Sequence, residues 1–308
     1  MTKIAVLRRL PQPVLDQLAG MGEVLVPLTD APLDQAGMRE LMCDADAVLL
    51  AAVDPVDAET IAACPKLKLI CNIGVGYDNI DIAAARSRGI TVTNTPGAMD
   101  DAVADLVFGM LIGVARRLPQ ADAFVRAGKW TPDNLTGFGL GMDVNRKTLG
   151  IIGFGRIGRV IARRATGFEM PVLYVDSKSA APELEAELRA KRTDLDRLLA
   201  ESDFVVVQVP YGPSTHHMVG APQIARMKPT AVLIHAGRGG VVDDQALAAA
   251  LKSGKIAAAA VDCFEGEPKL HPALLDCPNV LLTPHIGSAT PDTRMSMMRM
   301  ALANLVAA

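Results

Sequence analysis

Residues 147–176, KTLGIIGFGRIGRVIARRATGFEMPVLYVD, decide the fold. An apolar strand, 149–152, runs into Gly153-x-Gly155-x-x-Gly158, a helical stretch follows, and a second apolar strand, 172–175, closes on Asp176. This order suits a dinucleotide. The first glycine permits a sharp turn, the second lets backbone approach a pyrophosphate, and the third lets the helix pack against its strand. The N–H groups at the start of the helix then face the phosphates. Asp176 lies 18 residues past Gly158, where a carboxylate can accept both ribose hydroxyls and repel a 2′-phosphate. The expected cofactor is NAD, with NADP the lesser alternative because Ser177 and Lys178 follow the acid and a lysine there can meet a 2′-phosphate. Such a glycine triplet alone is often merely a turn; strand, helix, second strand and terminal acid together make the case.

Outward from this unit the pattern repeats. Upstream, the sequence predicts strands at 4–7, 24–27, 47–50 and 69–72, separated by helical stretches; downstream it predicts 149–152, 172–175, 204–209, 231–235, 257–261 and 280–282. Strands alternating with helices give an α/β fold with parallel sheets. Because the glycine fingerprint comes only near residue 150, the cofactor domain is the later, inserted one. Between the two series, 100–117 reads as a long apolar helix with Asp100, Asp101 and Asp105 in its first turns and Arg116 and Arg117 at its end, charges that complement the helix dipole. Its broad apolar surface fits burial against a second subunit or a fully internal position equally well. A final helix is expected over 291–307, returning to the first domain.

Composition narrows the partners. Half of the 308 residues are apolar, enough for cores in two domains of about 150 residues each. A formal charge of −3 and a pI near 6.0 give no general attraction to nucleic acid or anionic membrane. The expected partners are small molecules and a second copy of the chain. Cys43, Cys64, Cys71, Cys263 and Cys277 lack CxxC or Cys/His ligand spacing, so neither a disulfide framework nor a metal site is expected. The N-terminus reads as a strand rather than a signal peptide, and the longest apolar run, 106–115, is too short to span a bilayer. The expectation is a soluble protein of the reducing cytoplasm.

In open α/β sheets ligands bind beyond the carboxyl ends of the strands. Three charged residues follow such ends: Arg238 in HAGRGG, Glu267 in DCFEGEP and His285 in TPHIGS. Together they supply what reduction of a 2-keto acid requires. Arginine can bind a carboxylate bidentately and polarise a keto oxygen as charge develops on it. Histidine can protonate the resulting alkoxide, and glutamate can orient the imidazole and favour its protonated form. Singly, each has an ordinary reading: a surface arginine, a loop carboxylate, a strand-end cap. Their shared edge favours the joint role. His216 and His217 in PSTHHM are expected to face solvent or the cofactor rim, His271 to sit in a turn and His235 to be buried at a strand end; none has an evident acid partner in the sequence.

Across essentially the whole chain these residues resemble the NAD-dependent D-2-hydroxyacid dehydrogenase family. The matching stretches are NIGVGYDNID (72–81), NTPG followed by DAVADL (94–106), GKW (128–130), TLGIIGFGRIG (148–158), VP (209–210), GRGGVVDDQAL (237–247), VDCFEGEP (261–268) and TPHIGSAT (283–290). NIGVGYDNID, the DAVADL helix and GKW look most like the glyoxylate/hydroxypyruvate reductase branch. The resemblance implies two Rossmann-like domains, a flavodoxin-like substrate domain of residues 1–98 plus 288–308 and an inserted NAD-binding domain of 99–287, with a cleft between them and a homodimer formed through the cofactor domains. It implies the catalytic roles above for Arg238, Glu267 and His285. Val75 and Gly76 would hold the substrate carboxylate through backbone N–H groups, with Arg238 and His285. Arg156 and Ile157 would lie over the pyrophosphate, Val209 and Pro210 beside the adenosine, and Thr215 near the phosphates. Ala236, Gly237 and Asp262 would surround the nicotinamide, Asp262 accepting from its carboxamide, and Gly287 and Ser288 would close the site. Arg8, Arg9, Leu10, Ala52, Val53 and Trp130 would decide which substrate side chain is accepted; Trp130 either packs its own loop or reaches a partner subunit. Two departures stand out: the family generally has Asn where this chain has His235, and Ala or Ser where it has Gly237. A non-catalytic NAD(H) sensor of the corepressor type and a phosphite dehydrogenase share the scaffold and are the alternatives; formate enzymes typically carry Gln at the position of Glu267.

Overall fold

The computed structural model describes residues 2–28 and 31–307; Met1 and Ala308, the outer bounds of the expected substrate domain, lie outside the described residues. The chain divides into one unit of Met1–Met99 with Ala289–Ala308 and another of Asp100–Ser288. The first holds a five-stranded sheet of β1 (Lys3–Val6), β2 (Glu23–Leu25), β3 (Ala47–Leu50), β4 (Leu69–Asn72) and β5 (Thr91–Thr93), in the order β2-β1-β3-β4-β5. Every pairing is parallel, and the order is that of flavodoxin-like sheets. β3 and β4 are buried along their whole length, as central strands covered on both faces must be. The helix Pro291–Ala307 belongs to this unit: its Met297, Ala301 and Leu302 share one apolar cluster with Ile4, Val6, Leu49 and Leu69.

The second unit holds a seven-stranded parallel sheet: β6 (Leu149–Ile152), β7 (Val172–Val175), β8 (Ala190–Arg192), β9 (Phe204–Val207), β10 (Val232–His235), β11 (Ala258–Val261) and β12 (Val280–Leu282). Their order, β12-β11-β10-β9-β6-β7-β8, reverses between β6 and β9 and is that of a doubly wound dinucleotide fold. The register places the site. Val175, Ile152, Val207, His235, Val261 and Leu282 are laterally paired in succession, so the segments that follow these strands leave the sheet along one edge.

The helix expected over 100–117 is Asp100–Ala115, and it is internal to its unit. Val103, Ala104, Val107, Phe108, Met110, Leu111 and Val114 are buried, while Asp101 and Asp105 pair with Arg164 of the helix Arg156–Thr166. It ends two residues early because Arg117 takes a left-handed φ of 54° and opens a second helix, Leu118–Arg126.

Candidate active site

The glycine triplet is held by contacts that demand it. At Gly153 φ is +100°, and a Cβ there would meet the Gln208 carbonyl oxygen at 2.3 Å; at Gly158 one would meet the Gly153 carbonyl oxygen at 2.1 Å. At Gly155 it would meet nothing within 4 Å. The first and third glycines are therefore packing requirements, and the second faces open space at the start of the helix Arg156–Thr166, whose N-cap offers no side-chain acceptor. Uncapped N–H groups at the point where strand order reverses form an anion site. Phe154 is buried, stacked on Tyr174 with ring centroids 4.0 Å apart. Its N–H donates to Asp176 Oδ2 at 2.8 Å, while Lys178 N–H and the Ser177 hydroxyl donate to Oδ1 at 3.1 and 3.2 Å. Burial pushes the Asp176 pKa up, but these donors outweigh it and hold the carboxyl below its ordinary value, hence ionised. Glycine cradle, bare helix start and strand-end carboxylate fit a dinucleotide.

Farther along the same edge, His285 Nδ1 lies 2.7 Å from Glu267 Oε2, and the Phe264 N–H donates to Glu267 Oε1 at 2.8 Å. Burial raises the Glu267 pKa; the His285 hydrogen bond, the Phe264 N–H and the charges of His285 and Arg238 reverse that and leave it below its usual value. An ionised carboxylate thus fixes the imidazole through Nδ1. His285 itself has φ of 52°, set by the segment that carries it. Asp262, 1% exposed, clamps that segment: it accepts from Thr283 Oγ1 at 2.6 Å, Ile286 N–H at 2.8 Å and Gly287 N–H at 3.0 Å. Arg238 follows β10, its Nη1 donating to the Gly237 carbonyl at 3.2 Å. The turn after it abuts the Phe264 carbonyl so closely that a Cβ on Gly239 would stand 1.8 Å from that oxygen. The segments bearing Arg238 and Glu267 are therefore locked together.

The remaining expected residues fall as follows. Arg156 pairs with Asp100 at 3.4 Å and Ile157 occupies the first turn of its helix. Val209 and Pro210 follow β9, and Thr215 donates its hydroxyl to the Pro210 carbonyl at 2.7 Å, leaving the oxygen as an acceptor. Ala236 and Gly287 are buried and Ser288 is half-buried. In the other unit, Val75 and Gly76 form a turn after β4 whose carbonyls accept from the side-chain amides of Asn94 and Asn72, and among the described residues neither N–H of the pair has an acceptor. Arg8 is drawn to Asp54, at 2.9 Å from Nε. Trp130 is 62% exposed.

The family described as D-isomer specific 2-hydroxyacid dehydrogenase, NAD binding domain, matches residues 108–287. A glyoxylate reductase from Thermococcus litoralis is 43% identical, covering 99% of this chain and 93% of its own. The chain belongs to the D-isomer specific 2-hydroxyacid dehydrogenases. A glyoxylate/hydroxypyruvate reductase B from Erwinia tasmaniensis is 45% identical to the dehydrogenase, covering 84% of it and 81% of the relative. The crystal structure of an NADPH-dependent glyoxylate/hydroxypyruvate reductase from Sinorhizobium meliloti, in complex with NADP and malonate, superposes with a TM-score of 0.89 at 35% identity, over 99% of this chain and 93% of that one.

Three features around the dehydrogenase's site were not evident from sequence. His235 is fully buried and its Nε2 donates to the Arg238 carbonyl at 2.9 Å; burial drives its pKa down to about 4, so the ring is neutral and carries its proton on that nitrogen. It steadies the backbone of Arg238. Gly237 is closely confined, a Cβ there standing 3.1 Å from the Val209 carbonyl oxygen and 3.2 Å from that of Val207. His217 has an acid partner after all, Glu265 Oε2 at 2.9 Å, 48 residues away in sequence.

Proposed function

We propose that this dehydrogenase reduces small 2-keto acids of the glyoxylate and hydroxypyruvate type to D-2-hydroxy acids, with NADH as the reductant. The observation that carries the reading is the His285–Glu267 pair at 2.7 Å, with Arg238, on the same sheet edge as the dinucleotide cradle. The names of the relatives support the substrate class and favour a reductase over the sensor and phosphite alternatives. Gly153, Gly155, Arg156, Ile157, Gly158 and Asp176 would hold the phosphates and ribose, Val209, Pro210 and Thr215 the adenosine side, and Ala236, Gly237, Asp262, Gly287 and Ser288 the nicotinamide side. When bound, the reduced nicotinamide supplies a hydride. Arg238 binds the substrate carboxylate and draws charge onto the keto oxygen. His285, held through Nδ1, gives the proton on Nε2 to that oxygen, and the Glu267 carboxylate stabilises the imidazolium before transfer. Asp262 keeps His285 in place by its hold on residues 283–287. In the other unit, the Val75–Gly76 turn presents a pair of N–H groups suited to a carboxylate.

The preference for NADH rests on the ionised Asp176, which repels a 2′-phosphate. The unit of Met1–Met99 with Ala289–Ala308 would serve the substrate and that of Asp100–Ser288 the cofactor. We further propose a homodimer, since the helix Leu118–Arg126 buries none of its residues and Leu118, Val125, Trp130, Leu135 and Leu140 are exposed around it. No helix among the described residues is long and apolar enough to cross a membrane, and four of five cysteines are buried as thiols, which supports a reducing cytoplasm. Neither nucleic acid nor membrane is proposed as a partner. The test is loss of nicotinamide absorbance with NADH and NADPH against glyoxylate, hydroxypyruvate, pyruvate, phenylpyruvate and 2-ketogluconate. Fast turnover of one or both of the first two with NADH is expected; silence across the panel despite tight NADH binding would overturn the reading.

A further inference from the structure

We propose that the dehydrogenase carries a divalent transition-metal site apart from its catalytic residues, formed by His216, His217 and Glu265. A ring nitrogen of each histidine and a carboxylate oxygen of the glutamate all lie within 4.8 Å of one another. Small side-chain rotations bring such a set round one ion with bonds of about 2.0–2.2 Å. Polar groups beyond the three ligands lie beside both rings, a hydroxyl within hydrogen-bond distance of His216 and a carboxylate farther from His217. The Tyr211 hydroxyl is 3.3 Å from His216 Nδ1, and Asp243 Oδ2 is 3.9 Å from His217 Nδ1, whose Nε2 is 2.9 Å from Glu265. Metal-binding imidazoles are commonly oriented through their second nitrogen in this way. The two rings stack with centroids 4.0 Å apart, and His217 takes a left-handed φ of 47°. Its N–H donates to the Gly240 carbonyl at 2.8 Å, so the backbone beneath the pair is fixed.

The donor set selects the ion. Two imidazoles and a carboxylate suit zinc, nickel or copper rather than magnesium or calcium, and three protein ligands leave a fourth position for water. Asp243 and Glu265 supply negative charge that a dication offsets. Glu265 turns to His217 and leaves His285 to Glu267, so the site does not compete for the catalytic carboxylate. An ion here joins the segment after β9, which carries Thr215, to the segment after β11, which carries Glu267. Cysteine and histidine spacing pointed to no such site, because Glu265 meets the two histidines only through the fold.

Calorimetric titration of zinc into the NADH-bound dehydrogenase, wild type and the variants His216→Ala and Glu265→Gln, tests the proposal. Both substitutions are at exposed positions, and zinc-free turnover and melting temperature are expected to match wild type. One zinc per chain is expected in the wild type, weakened by at least about tenfold in each variant. Zinc should raise the melting temperature of the wild type alone. Absence of binding to the wild type overturns the proposal. So does undiminished binding in His216→Ala accompanied by loss of turnover, which assigns the ion to Cys263, Glu267 and His285, also within 4.8 Å of one another.

Discussion

His285→Gln removes the imidazole that Glu267 holds at 2.7 Å, and kcat is expected to fall roughly 10²-fold or more with modest change in KM. Near-normal turnover in steady-state assays would remove the residue from the proton-transfer role. Asp176→Ser takes the negative charge from the end of β7 while Arg192 still donates to the residue-176 carbonyl at 2.9 Å; the ratio of kcat/KM for NADPH over NADH is expected to rise by about tenfold or more. An unchanged ratio would place cofactor discrimination elsewhere. Asp244 is a different case: buried, with Oδ1 unpartnered and Oδ2 accepting from the Glu265 N–H at 3.1 Å, it has its pKa raised to about 6, burial being the main cause. Below an unfolded-state value near 3.8 it is protonated in both states. Between there and about 6 the unfolded chain releases a proton that the folded chain keeps, so stability falls as pH rises, by roughly 2–3 kcal/mol, and stays lowered above. Urea unfolding over a pH series should show that slope in wild type and its loss in Asp244→Asn. The placement of Arg238, Glu267 and His285 along one sheet edge was legible in the sequence because each follows a recognisable apolar strand. The contacts of His235 and His217 were not, since they depend on which segments the sheet order makes adjacent.

Among the elements, the glycine turn gives the sharpest contrast. Gly158→Ala forces a methyl against the Gly153 carbonyl oxygen and is expected to cost about 1–3 kcal/mol of stability as well as NADH affinity. Gly155→Ala meets nothing within 4 Å and should melt like wild type yet bind NADH more weakly. Melting curves beside fluorescence titration separate the two effects; equal destabilisation would contradict the packing described. β3, β4, β6, β7 and β12 match the expected strands residue for residue, and β1, β2, β9, β10 and β11 shift by no more than two residues at either end. β5 and β8 escaped notice. Both are edge strands, TVT and AKR, half exposed, so no continuous apolar run marks them, and polar residues suit an edge that must not recruit another strand. The helix Asp100–Ala115 was read correctly as apolar, but its internal position is decided by the neighbouring helix and by β10, β11 and β12 packed against it.

For the molecule as a whole, alternation of strand and helix disclosed two parallel sheets, and the glycine fingerprint near residue 150 indicated which came second. The expectation of self-association came only from the family resemblance, because a face such as Leu118–Arg126 looks like any amphipathic surface helix in sequence. Sedimentation is expected to give a dimer, and Val125→Glu with Leu135→Glu to shift it toward monomer; a monomeric wild type would refute that face as an interface. The membership of Pro291–Ala307 in the first sheet's core has a temporal consequence. A ribosome delivers all five strands of that sheet early, yet Met297 and Leu302, which seal one of its faces, arrive last. At ~5–20 residues per second, the nascent first unit waits roughly ten to forty seconds with that face uncovered while the second unit is being synthesised. During synthesis, the segment made first is thus the one finished last.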